Sequence, residues 1–131
     1  MLQYDNHVKT IKRNIQSSLF ELNIKCSVTL ENAGKCIAVK NNADFGEDEN
    51  LYIWIRLLPS RDNLYIVDIS NIQLPLSKRR KGNFEFMFAR LLKCKYVGEI
   101  RITSVCTPEM LNWCTKHRLN MINYNDYYLK C

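Results

Sequence analysis

The chain has 131 residues, 47% of them hydrophobic and 24% charged, and 19 Lys and Arg against 13 Asp and Glu leave a net charge of +6. This length suits a single domain over residues 1–131, and the apolar content excludes a disordered or collagenous chain. The basic balance favours anionic partners: nucleic acid, nucleotide-containing cofactors or an acidic protein surface.

No apolar run has the length of a membrane-spanning helix, and the opening MLQYDNHVKT lacks the apolar core of a secretory signal. A cytoplasmic protein without a membrane partner is expected. The six cysteines (Cys26, Cys36, Cys94, Cys106, Cys114 and Cys131) are scattered and form no CxxC pair. In a reducing compartment they read as free thiols, several packed as small hydrophobes.

From Asp5 to Leu22 the apolar residues Val8, Ile11, Ile15, Leu19 and Leu22 recur at three- and four-residue steps. That spacing predicts an amphipathic helix, with Asp5 or Asn6 as its N-cap. KCSVTLE alternates in hydropathy, NAG (Asn32 to Gly34) supplies a turn, and KCIAVK returns as a second strand. After the acidic stretch NNADFGEDEN, the run LYIWIRLL (Leu51 to Leu58) is apolar on both faces, as in a central strand. PSRDN (Pro59 to Asn63) turns the chain into a long strand, Leu64 to Leu74, which carries Asp68, Ser70 and Asn71.

A helix from about Asn83 to Lys93 follows, with Phe84, Met87, Phe88, Leu91 and Leu92 on one side. Strand Gly98 to Val105 comes next. TPEMLNWCTKH then predicts a helix with Thr107 as N-cap and Pro108 at its first position. MINYNDYYLKC closes the chain as one or two short strands around Asn125. The first half is an antiparallel meander, and the second contains a β-α-β unit whose strands must be parallel. The fold class is therefore α/β (α+β): a mixed, mainly antiparallel sheet flanked by helices.

SKRRKGNF stands between the long strand and the helix, four successive cations and then Gly82. A helix N-terminus offers unpaired backbone N–H groups and partial positive charge. A glycine there lets a phosphate approach the backbone. Neither GxxxxGK[ST] nor GxGxxG is present, so this is neither a P-loop nor a dinucleotide fingerprint. The alternative is a solvated basic loop whose glycine only makes the turn.

The stretch NIQLPLSKRRKGNFEFMFARLL, following a long strand and preceding EIRITSV, resembles motif A of the GNAT superfamily of acyl-CoA-dependent N-acetyltransferases. In its pattern Q/R-x-x-G-x-G/A, Arg79 and Gly82 occupy the first two positions and Phe84 stands where Gly or Ala is usual. TPEMLNWCTKHRLN is similar to the superfamily's next helix, with Trp113, Lys116 and Leu119 on its aromatic, lysine and apolar positions. The element order from Leu51 onward agrees.

The resemblance implies acetyl-CoA as cofactor and an amine of a protein or small molecule as acceptor. It places the pyrophosphate against Arg79, Arg80, Lys81, Gly82, Asn83 and Phe84. The end of the preceding strand, Ile72, Gln73 and Leu74, would meet the same cofactor. Asp68 is the candidate base, against a plain hydrogen-bonded strand carboxylate, and Cys114 falls where a tyrosine acid is frequent. Arg118 replaces a glycine of the pattern. Tyr124, Tyr127 or Tyr128 could substitute as the acid, or pair across a dimer.

Two other classes compete with an acyltransferase. One is a GNAT-like fold kept as an inert protein-interaction module, for example a phage or mobile-element inhibitor of a host enzyme or nuclease. The other is a nucleic-acid-binding domain using Lys78 to Lys81. Tyr52, Trp54 and Tyr65 read as sheet packing rather than base-stacking platforms. Cys114 and His117 supply only half of a zinc site, and Cys106 with His117 lacks a third orienting group, so no metal and no cysteine nucleophile is expected.

Overall fold

The computed structural model describes residues 2–41, 51–73, 82–103, 108–123 and 126–130. Helix α1 (Leu2–Glu21) leads into the antiparallel strands β1 (Cys26–Glu31), β2 (Cys36–Asn41), β3 (Tyr52–Pro59) and β4 (Tyr65–Gln73). Helix α2 (Asn83–Leu92), strand β5 (Val97–Ile102), helix α3 (Pro108–Lys116) and the hairpin β6 (Asn120–Asn123) and β7 (Asp126–Lys130) complete the order. The seven strands form one sheet in the order β1-β2-β3-β4-β5-β7-β6. Only β4 and β5 are parallel; every other neighbouring pair is antiparallel. The mixed α/β architecture expected from the sequence is the one observed.

Helix α1 begins at Leu2, a turn earlier than the expected cap at Asp5 or Asn6. Asn6 lies inside the helix, where its carbonyl accepts a hydrogen bond from Thr10 Oγ1 at 2.9 Å. Leu and Gln are good helix formers, so the first turn propagates ahead of the polar pair. Strand β5 stops at Ile102, short of the expected Val105, and residues 104–107, including the cap expected at Thr107, lie outside the described residues.

Strand register explains where the core sits. Leu30, Ile37, Ile55, Ile69, Ile102 and Tyr127 stand opposite one another across six strands. Four of them, Ile37, Ile55, Ile69 and Ile102, are at most 1% exposed. Val8, Ile11, Ile15 and Leu19 of α1 and Phe84, Met87, Phe88 and Leu91 of α2 join the same cluster. The neighbouring row is polar and charged: Glu31, Cys36, Arg56, Asp68, Arg101 and Tyr128. Because side chains alternate along every strand, one register produces both rows.

The β1–β2 turn places Asn32, Ala33 and Gly34 at φ 52°, 57° and 82°. The Gly34 N–H donates to the Glu31 carbonyl at 3.1 Å, closing a hairpin turn with two left-handed central residues. Ala33 carries a Cβ where glycine is preferred. Ala33→Gly is expected to stabilise the protein by about 0.5 kcal/mol, the relief of left-handed strain less the backbone entropy of glycine. The midpoint of urea unfolding measures it.

Candidate functional site

Among the described residues the parallel pairing ends partway along β4. β4 and β5 pair from Tyr65/Val97 to Ile69/Ile102, with a register shift between Tyr65 and Ile66, and the Thr103 N–H donates to the Ile69 carbonyl at 3.0 Å. Beyond that bond Ser70 to Gln73 continue as strand; Asn71 to Gln73 pair with β3, and none of the four has a β5 partner among the described residues. Opposite Trp54 and Ile55 stand Asn71 and Ile69, so Ser70 is an extra residue in β4. Its hydroxyl donates to the Trp54 carbonyl at 3.3 Å. Such a bulge bends its strand and re-aims the side chains beside it. Here it lies at the point where β4 loses β5 as a partner.

Gly82 stands at the N-cap of α2 with φ 74° and ψ 11°, and its carbonyl accepts from the Phe86 N–H at 2.9 Å. As a glycine, it has no side chain with which to cap the helix. A Cβ at Gly82 would meet nothing within 4 Å. The glycine is therefore required by its left-handed backbone and not by crowding. Asn83 is half-buried just inside the helix. Ile72 is half-buried and Gln73 exposed at the end of β4. The expected contacts Leu74, Arg79, Arg80 and Lys81 lie outside the described residues.

Phe84 departs from the small residue of the pattern, yet its ring is buried, only 7% exposed. It meets Trp113 edge-on at 4.8 Å between centroids, and Trp113 meets Phe88 in the same way at 5.0 Å. The cause is the spacing of Phe84, Met87, Phe88 and Leu91, which turns all four toward the core. The ring is thus spent on packing α2 against α3.

Asp68 is only 1% exposed. Arg56 donates to its Oδ2 through Nε at 3.1 Å and Nη2 at 2.5 Å, and Thr103 Oγ1 donates to its Oδ1 at 2.8 Å. Both carboxylate oxygens are engaged, as a buried charge requires. The alternative of a hydrogen-bonded strand carboxylate therefore describes what Asp68 does in this conformation. The neighbouring Arg101 is paired with Glu99. Arg56 and Thr103 were not expected at the site. A hairpin centred on Asp62 would have pointed to Arg56, because Arg56 and Asp68 lie equally far from it.

Cys114 is completely buried, and burial pushes its thiol up from an ordinary 9.0 to about 11. A thiol with no surface presents nothing to a leaving group, so the proton-donor role expected of Cys114 is not supported by its position. Burial raises Cys26 and Cys94 as well. Stability should consequently fall as pH rises from 9 toward 11. In that window the unfolded thiol loses its proton while the folded one keeps it. Cys114→Ala should flatten that part of a denaturation-versus-pH curve.

Among the alternative acids, Tyr127 is buried opposite Ile102, Tyr128 is half-buried opposite Arg101, and Tyr124 lies outside the described residues. His117 packs on Trp113 at 4.3 Å, and its Nε2 lies 3.9 Å from Glu85 in the first turn of α2. No group of three His, Cys, Asp or Glu suited to a metal occurs among the described residues. No helix among them is long and apolar enough to cross a membrane.

No protein-family model matches the chain, and no curated protein matches it. Solved structures do. One is Naa50 of Arabidopsis thaliana in complex with the bisubstrate analogue CoA-Ac-MVNAL, with 15% identity and a TM-score of 0.45, covering 71% of this chain and 68% of that one. Another is the diaminobutyrate acetyltransferase EctA of Paenibacillus lautus in complex with L-2,4-diaminobutyric acid and coenzyme A. It shares 14% identity at a TM-score of 0.38 and covers 73% of this chain and 69% of that one.

Proposed function

We propose that the chain binds an acyl-CoA, acetyl-CoA in the first instance, at the opening between β4 and β5. There it would act as a small N-acyltransferase on an amine of a protein or small molecule. The observation that carries this reading is the loss of β5 as a partner after Ile69, beside a helix that starts from a left-handed glycine. The β5-facing backbone groups of Ser70 to Gln73, which no strand among the described residues uses, can bond an extended amide-bearing arm as a strand would. The N–H groups at the start of α2 suit the pyrophosphate. Leu74, Arg79, Arg80 and Lys81 belong to the same proposed site, and the three cations would bring charge to it. The inward turn of Phe84 keeps its ring out of the phosphate's way. A thermal-shift titration with acetyl-CoA and CoA tests binding, and release of free CoA thiol in the presence of amines tests turnover.

A second reading is favoured by two particular observations. Asp68 is committed to Arg56 and Thr103, and Cys114 is enclosed in the core. Neither stands ready to move a proton, which suits a fold retained for binding a partner protein without chemistry. No response to CoA together with a stable partner in pull-downs would select this reading over the first.

A further inference from the structure

A second concavity lies at the other end of the sheet. It has a volume of about 620 Å³ and is bounded by the β1–β2 turn, the end of β3, the start of β4 and one turn of α1. β4 runs from Tyr65 at this cavity to Gln73 at the opening, roughly 26 Å of strand, so the two places are distinct. Val8, Leu30, Leu57 and Tyr65 give the cavity apolar walls. Among the described residues its charged lining is entirely cationic: Lys9, Lys35 and Arg56, with no Asp or Glu. Lys9 and Lys35 are exposed, and neither has an ion-pair partner among the described residues. Arg56 uses Nε and Nη2 on Asp68, and its Nη1 takes no part in that pair. Its side chain remains 52% exposed.

Apolar walls of this size beneath a one-signed charged rim suit a ligand with a hydrophobic body and an anionic head. From this pairing we infer a binding site for a small amphipathic carboxylate. Its hydrocarbon part would lie against Val8, Leu30, Leu57 and Tyr65, and its carboxylate among Lys9, Lys35 and Arg56. Arginine suits this head group, since its donors already match one carboxylate, that of Asp68. The site is independent of acyl-CoA binding and does not require it.

Three probes read by backbone amide NMR on the full chain separate the contributions. Octanoate is expected to shift the resonances of residues 33–36 and 56–58, with half-saturation on the order of 1 mM, as suits a ligand of this size. Octanol, which lacks the charge, and acetate, which lacks the body, should each need at least about tenfold more for the same shifts. The double variant Lys9→Glu, Lys35→Glu changes only exposed rim positions. It should weaken octanoate by roughly tenfold and leave octanol unchanged. The inference is overturned by no shift at millimolar octanoate, by equal affinity for octanol and octanoate, by acetate alone giving the same response, or by shifts centred on residues 70–73 and 82–88.

Discussion

Arg56→Met is expected to destabilise the protein by about 3 kcal/mol, more than its half-exposed position suggests. The loss comes from Asp68, which is nine-tenths or more buried and would be left with the Thr103 hydroxyl as its partner among the described residues. The lower end of the range for breaking a buried pair applies because water reaches the Arg56 side. Asp68→Asn should cost less, about 1–2 kcal/mol, because it removes the charge and leaves a cation that solvent can hydrate. Arg56→Met combined with Asp68→Leu should recover most of the loss, since an apolar pair leaves nothing unpaired. Chemical denaturation of these proteins, with the single variant Asp68→Leu added, closes the cycle. If Arg56→Met lies within about 0.5 kcal/mol of the parent, the pair does not hold Asp68 and its availability as a base reopens.

Gly82→Glu is expected to abolish stabilisation by acetyl-CoA. For the parent, ligand at a hundred times its dissociation constant adds about 2.7 kcal/mol, a rise of roughly 10 °C in Tm for a chain of this length. The substitution acts twice. It places a Cβ at φ 74°, a strain of about 1 kcal/mol, and it sets a carboxylate at the helix end where a pyrophosphate would bind. Gly82→Asn separates the two effects, because asparagine tolerates the left-handed region and adds no charge. The Asn variant should keep most of the response and the Glu variant none. A parent that shows no shift at millimolar acetyl-CoA would sink the cofactor proposal. It would leave the octanoate experiment at the opposite end of the sheet unaffected.

Much of this outcome was legible before any coordinates. Three- and four-residue spacing marked α1 and α2, alternation marked the meander, and the strand-helix-strand order required the single parallel pair. Gly82 could be placed at a helix start because the apolar face begins at Phe84. The departure of Phe84 from the small residue of the motif looked like an obstruction. Its resolution depended on Trp113, some thirty residues away, offering an aromatic edge for that ring. Cys114 matched a family position in the sequence, while the packing that encloses it comes from elsewhere in the chain.

By itself the sequence determined the order and type of the elements, the faces of the helices and the glycine at the start of α2. Those properties depend on neighbours within a few residues, through periodicity and backbone freedom. Tertiary structure alone decided that β4 gains an extra residue at Ser70 and loses β5 after Ile69. It also decided that Asp68 is closed in by Arg56 and Thr103, and that Lys9 and Lys35 face one apolar hollow. Strand register and the approach of distant segments set these features. Both arise from the simultaneous packing of the whole core and leave no local signature in the chain.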